Sequence, residues 1–598
     1  MVPFKLISFL GLSVFIASII SFVLFDTAKL EILVRTWGLP ILVGALGCWV
    51  YCFFQASIAK ENKAEEPTGL KKCFLRDQPC TRVRDLTFIL LVTIFVHLSQ
   101  THDFKVVMDE VNSVNASRAI FEHQQIFAPG ALDFGYDDFR LSTEGYVDKR
   151  PFLFPFAVSL LHFLTGYRPT NGFFLNILLT PVLIGCILAV VRCYVRRPLV
   201  GYLAVLLFVS FPFVARVMTS SGAELLNTTL LALLILAAIN FFKRPTKEHA
   251  NLMFSTACVL AYARYESVAY VFAAGLIWSI VCFRERQLFI SKITCLFPLF
   301  LVPLVWIQRI VQSKSSDYFQ HAMLGKGRTF SAEYFGDNID RFFRFLFEPQ
   351  WLSLNAPLTV SILAIVLIIV SLRSCGVGPV RHRSALVQIL SGPLFWIGLI
   401  AVALQGLLLF YLWGDMNDPV VTRIGMPFFL MFVLFATALW GAEFSDRVKS
   451  APIIGVAGLC LWFGIFAKAD GLVEETNYHA KLVNQAGVWV SDELDWRDVV
   501  YSNNVQILLP YRVRVFPELN LRGSFRFVDQ MRAAGLINRV YLLDKTYPGK
   551  EPDQPSRRYK EFLQHGGSIN LVRHMNVGPG YKLTLYELDF THYTEGDD

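Results

Sequence analysis

The sequence predicts an α-helical polytopic membrane protein of about thirteen spans, closed by a C-terminal extracytoplasmic α/β domain. Three observations predict it. The 598 residues are 54% hydrophobic and only 17% charged, with mean hydropathy +0.47, whereas soluble domains carry nearer a quarter charged residues. Apolar runs of about 20 residues, the length that crosses a bilayer, recur along most of the chain. Past Asp470 the pattern changes to short strands interleaved with helices, which reads as a small α/β domain.

The spans follow from the runs and from the basic residues between them. Residues 6–25 lack a small-x-small cleavage site before Asp26 and read as an uncleaved span. Residues 38–59 form a second span and lead into Lys60, Lys63, Lys71, Lys72, Arg76, Arg82 and Arg84, a density of positive charge that belongs in the cytoplasm. Residues 86–100 then cross outward, which places Asp109 and Glu110 outside. Residues 152–165, flanked by Pro151, Pro155, Gly166 and Pro169, are too short to span and read as a helix lying in the interface. With that assignment residues 173–191 run inward and deliver Arg192, Arg196 and Arg197 to the cytoplasm, as the charge rule requires. Outward runs at 199–214, 252–263, 296–310, 386–413 and 452–467 alternate with inward runs at 225–242, 268–283, 358–372 and 426–440. The N-terminus falls inside and the C-terminus outside.

Three regions result: residues 1–85, with two spans and a basic cytoplasmic loop; residues 86–469, a membrane domain whose first outer loop is 101–170; and residues 470–598. In the last, helices are expected at 477–494, 525–534 and 558–564, and strands at 498–502, 539–543, 568–573 and 582–588. The formal charge of +8 comes from short loops between apolar runs, so it marks orientation rather than nucleic-acid binding. None of the eleven cysteines falls in the loop around Asp109 or after Cys460, which suits an oxidising outer side. Cys73 and Cys80 have no histidine near them in sequence and read as ordinary thiols.

Met108-Asp109-Glu110 opens the first outer loop, which closes with Asp148-Lys149-Arg150-Pro151. Adjacent acids point in different directions, so one is the working group and the other structural or substrate-orienting. A carboxylate beside a bilayer, partly desolvated, holds its proton more tightly and can act as a general base. The plain alternative is a helix start, where acids are favoured. Further ionisable residues stand at outer ends of spans: Lys149 and Arg150, Glu224 after Ser220-Ser221-Gly222, Arg264 and Glu266 at a turn, and Arg423 before Met426-Pro427. Taken singly, Arg264 and Glu266 read as an ion pair and Arg423 as a snorkelling side chain. Outward cations kept against the positive-inside bias point to a bound anion, and a lipid phosphate is the natural candidate.

These segments resemble the polyprenyl-phosphate-sugar-dependent glycosyltransferases of GT-C type, such as protein O-mannosyltransferases and the lipid A aminoarabinose transferase. The likeness rests on Asp109-Glu110, on Gly145-Tyr146-Val147-Asp148-Lys149-Arg150-Pro151, on Ser210-Phe211-Pro212 with Glu224 beyond it, on Ala263-Arg264-Tyr265-Glu266, and on Arg423-Ile424-Gly425-Met426-Pro427. It covers roughly residues 86–467 in order and topology. Arg150 replaces the family's first proline, Ile424 its usual aromatic, and two extra spans precede residue 86. The resemblance implies a sugar on a polyprenyl phosphate as donor, inversion at the anomeric carbon, and Asp109 as general base on a lipid, glycan or protein acceptor. Lys149, Arg150, Arg264 and Arg423 would meet the phosphate, while Glu224 and Glu266 would orient Arg264 or sugar hydroxyls. No metal is required where Arg and Lys hold a monophosphate, although related oligosaccharyltransferases use a divalent ion. Two other classes stay open: a transporter or flippase of lipid-linked sugars, which should carry mid-bilayer charges and internal repeats, and a non-catalytic scaffold acting through its C-terminal domain.

Overall fold

A computed structural model describes chiefly residues 25–58, 79–129, 145–311, 330–347, 389–444, 478–517, 528–546 and 560–592, short breaks aside. Nearly all of the expected span at 6–25, the whole of those at 358–372 and 452–467, and Lys60, Lys63, Lys71, Lys72, Arg76, Arg196 and Arg197 lie outside the described residues. Among the described residues, five helices are long and apolar enough to cross a membrane: Thr27–Ile58, Asn171–Tyr194, Glu224–Lys243, Tyr265–Glu285 and Thr294–Val311. At 1.5 Å per residue the shortest is about 27 Å and the others about 30 Å or longer, enough for a hydrocarbon core of roughly 30 Å. The protein is a largely helical integral membrane protein.

The chain forms two compact units that do not follow chain order. The first takes residues 1–102, 147–154 and 173–473; the second takes 103–146, 155–172 and 474–598.

In the first unit the Glu224–Lys243 helix is buried along nearly its whole length. It turns back through Pro245 and Thr246 into the Lys247–Ala261 helix, where Thr246 caps the new N-terminus by accepting from the His249 backbone N–H, satisfying one of the orphan donors of the first turn. That second helix packs on Thr27–Ile58, pinned by Trp49 Nε1 donating to Thr256 Oγ1 at 3.0 Å. The Pro393–Leu408 helix lies against Ala269–Glu285 and Met426–Phe444.

One expected span departs from its pattern. Residues 199–214 are not continuous: Pro198–Val209 stops, and Pro212–Met218 starts afresh behind an extended Phe211 (φ −67°, ψ 121°). Pro212 lacks the N–H that would carry the helix through, and its ring pushes the preceding residue out of the helical region. Hydropathy alone does not register such a break.

In the second unit the Val107–His123 helix shares its surroundings with the C-terminal residues: Arg118 Nη1 donates to Leu509 O at 3.2 Å, and Tyr167 Oη donates to Pro510 O at 3.0 Å. A five-stranded sheet runs in the order Arg514–Pro517, Val499–Ser502, Val540–Thr546, Tyr581–Asp589, Ser568–Gly578. The first three strands are parallel and the last two antiparallel, with Val499 opposite both Arg514 and Val540, and Val540 opposite Leu588. Phe562 and Leu542, both fully buried, pack the core on one face. Arg514–Pro517 is a further strand, not expected from the sequence; its four residues, Arg-Val-Phe-Pro, end in a proline, which demotes a run as a strand signal.

Candidate active site

Arg264 stands in extended conformation (φ −148°, ψ 147°) immediately before a 3-10 turn, Tyr265–Val268, that runs on into the Ala269–Glu285 helix. Its Nε donates to Glu266 Oε1 and its Nη1 to Glu224 Oε1. Arg423 opens another 3-10 turn, Arg423–Gly425, ahead of the Met426–Phe444 helix, and its Nη1 also donates to Glu224 Oε1. One carboxylate oxygen therefore holds two guanidiniums. The four side chains are between 5% and 19% exposed.

Glu224 begins its own helix, where a negative charge complements the dipole. The loop ahead of it is fixed by Asn176, whose Nδ2 donates to Ser220 O at 2.7 Å and to Gly222 O at 3.2 Å. Gly222 leaves room for that carboxylate: a Cβ there would stand 2.3 Å from Glu224 Oε2, which would have to shift. On the following helix turn Asn227 Oδ1 accepts from Ser267 Oγ at 2.6 Å, tying the Glu224 helix to the Arg264 turn.

Two acids and two bases cancel, so the cluster puts no net charge into the apolar unit. Burial alone would lower the Arg264 proton affinity, but Glu266 and Glu224 outweigh it and hold the guanidinium above its ordinary value. Desolvating four charges offsets most of what their attraction yields, so stability is a poor reason for the cluster. Both arginines, moreover, stand at helix starts, where the dipole disfavours a cation and favours an anion. Planar guanidiniums held in place at two helix N-termini are suited to binding a phosphate oxygen.

The segment 147–154 is fastened to the same unit. Leu153 N donates to Tyr262 O at 3.2 Å, the Phe152 and Tyr262 rings lie 5.3 Å apart, and Val147 N donates to Glu31 Oε1 at 3.0 Å. Arg150 folds back on Asp148, with Nη1 2.7 Å and 2.9 Å from the two carboxylate oxygens. Lys149 between them is exposed. Arg150 is thus partnered locally with Asp148, while Glu224, Arg264, Glu266 and Arg423 form one contact cluster.

Asp109 and Glu110 belong to the second unit, in the first turn of the Val107–His123 helix. Glu110 is 1% exposed, and its Oε2 accepts from Lys105 N at 3.0 Å, reaching back past the helix start. Asp109 is half-buried. The neighbouring acids therefore differ in surroundings, as their opposed directions on a helix require. Further along the first outer loop, Asp133 lies in a short ribbon opposite Arg140, and Asp137 and Asp138 lie outside the described residues.

Asn176, Asn227 and Ser267, which shape the cluster, were not singled out in sequence. Their only signal was an uncharged polar residue inside or beside an apolar run, which is expensive in a membrane and so worth noting.

No protein-family model matches the chain, and no curated protein matches it significantly. Among solved structures it is similar to ArnT from Cupriavidus metallidurans in the apo state, at 12% identity over 85% of this chain and 98% of that one, TM-score 0.39. The same protein bound to undecaprenyl phosphate gives 11% identity over 85% and 98%, TM-score 0.40. Arabinosyltransferase EmbB from Mycobacterium smegmatis gives 11% identity over 73% of this chain and 44% of that one, TM-score 0.31.

Proposed function

We propose that this protein is a membrane glycosyltransferase that moves a sugar from a polyprenyl-phosphate carrier to an acceptor hydroxyl at the extracytoplasmic face, inverting the anomeric carbon. The observation that supports the reading best is the neutral, buried cluster in which Glu224 holds both Arg264 and Arg423. Every member stands at the start of a helix rather than in its middle. That placement suits chemistry at a membrane surface, whereas transport calls for ionisable groups near mid-bilayer.

In the reaction the acceptor oxygen bonds to the anomeric carbon, the bond from that carbon to the carrier oxygen breaks, and its electron pair remains on the phosphate. Arg264 and Arg423 stabilise the charge that grows there, already oriented by Glu224 and Glu266 and so needing no rearrangement. Lys149 adds a further positive charge for the phosphate, with Arg150 positioning the turn through Asp148. Asp109 takes the acceptor proton as general base, and Glu110 sets the helix that carries it. The N-terminus is assigned to the cytoplasm, with about thirteen spans in all and the sheet-bearing C-terminal region outside.

The test is an assay of membranes containing the full chain with radiolabelled polyprenyl-phosphate pentoses and hexoses, wild type beside Arg423→Gln. Transfer from at least one donor, lost in the variant, is expected. No transfer from any donor by a folded wild-type protein sinks the proposal.

A further inference from the structure

We infer that a cavity beside the cluster receives the sugar ring of the donor, with Tyr270 and Gln405 as specificity-determining residues; this rests on the transferase reading above. The cavity has a volume of about 390 Å³ and lies in the first unit, within the range of small-molecule sites, about 300–1,000 Å³. Leu404, Leu408, Ile424 and Pro427 make apolar wall, and Tyr265, Tyr411 and Phe428 contribute aromatic rings. Glu266, the partner of Arg264, lines the same cavity, so the cavity begins where the proposed phosphate site ends.

Three side chains that line it carry a buried polar atom with no hydrogen-bond partner: Glu266 Oε2, Tyr270 Oη and Gln405 Oε1. Tyr270 is completely buried and Gln405 is 5% exposed. Buried polar groups are nearly always paired, and three orphans along one cavity call for a ligand that supplies the partners. The chemistry required is specific. The carboxylate and amide oxygens accept, and the phenol donates, so the ligand must offer both donors and an acceptor. Hydroxyls on a ring do both, while the ring's C–H faces pack on aromatic walls. A hydrocarbon tail would leave all three atoms unsatisfied.

Gln405 is also held in position. Its Nε2 donates to Met416 Sδ at 3.4 Å, and a Cβ on Gly425 would come within 3.0 Å of its Oε1. The Arg423–Gly425 turn therefore links the proposed phosphate site and the proposed sugar site through three consecutive residues.

The test compares farnesyl phosphate with farnesyl-phosphoryl pentoses and hexoses, titrated onto the purified full-length protein in detergent by intrinsic fluorescence. Wild type, Tyr270→Phe, Gln405→Leu and the cavity-filling Ala401→Phe are compared. The wild type should prefer at least one sugar-bearing probe over the bare phosphate. Each polar variant should cut that preference roughly five- to tenfold, the worth of one neutral hydrogen bond, and leave affinity for farnesyl phosphate unchanged. Tyr270→Phe should also raise the melting temperature of the unliganded protein, because it removes an unsatisfied hydroxyl without changing shape. Preference that survives in all three variants overturns the inference and leaves the transferase reading standing. Equal weakening of both probes overturns it too, because the cavity would then hold the prenyl chain. A wild type that binds neither probe overturns the transferase reading and this inference with it.

Discussion

Gly222 and Glu224 are separated by one residue, yet the second turns its carboxylate back so closely that any side chain on the first would collide with Oε2. The backbone of Gly222 is held in turn by Asn176. The position of the anion that gathers Arg264 and Arg423 is therefore set by a glycine and an asparagine, neither of which is charged.

Gly222→Ala is expected to displace that carboxylate. Overpacking of this kind costs about 1–3 kcal/mol, and the two guanidiniums lose their common support. A lowered melting temperature in detergent and a transfer rate reduced far more than substrate affinity are the outcomes to measure. An alanine variant with wild-type turnover would show that Glu224 need not stand where it does.

Glu224→Gln leaves two buried cations facing one acid. Removing one partner from a buried ion cluster costs about 3–5 kcal/mol, chiefly through the charge left uncompensated. Adding Arg423→Gln should restore part of that stability, because the sum of charges returns to zero, while transfer stays lost. A double-mutant cycle by chemical denaturation measures the coupling. Strictly additive losses would rule out the shared contact.

The second unit should weaken in acid. His162 is buried between Ser117 Oγ, 2.9 Å from Nε2, and Asn171 Nδ2, 2.7 Å from Nδ1. Burial, aided by the Arg118 charge, pushes its pKa from 6.5 down to about 4. Between those values the unfolded chain binds the proton and the folded chain does not, so the stabilisation is complete above pH 6.5 and falls as pH drops toward 4. His162→Gln, which keeps polar partners but does not titrate, should flatten the decline in melting temperature between pH 7 and pH 5. A wild-type profile already flat over that window would refute the assignment.

Asp109→Asn should abolish transfer with unchanged melting temperature and carrier binding, as removal of a general base does. Glu110→Gln should act differently, because the Glu110 carboxylate accepts the Lys105 backbone N–H from a buried position; lower stability with partial activity is expected. Single-turnover rates beside thermal unfolding separate the two. Transfer that persists in Asp109→Asn removes that residue from its role.

Much of the fold was legible because its driving signals are local. Helices such as Asn171–Tyr194 and Met426–Phe444 announce themselves by continuous apolar runs, and the strands at Val499–Ser502 and Val540–Thr546 by β-branched and aromatic residues. The break at Phe211–Pro212 was visible as a proline but masked by hydropathy on both sides. Glu224, Arg264, Glu266 and Arg423 stood out as charges at the edges of apolar runs; that one oxygen of Glu224 joins two of them depends on chain segments up to 199 residues apart, which no local pattern encodes. Tyr270 and Gln405 stayed silent for the opposite reason. Each lies in a largely apolar helix, and only the packed bundle shows that its polar atom lacks a partner.

The distance in sequence between Glu224 and Arg423 sets an order of events during synthesis. Glu224, Arg264 and Glu266 are made on the first part of the chain with one surplus negative charge, and Arg423 follows 199 residues after Glu224 to cancel it. Until that late arginine has been made, the cluster carries an acid without its second cation. The Arg423 turn therefore completes the assembly electrically as well as sterically, and a chain truncated before residue 423 should be less stable than the full one.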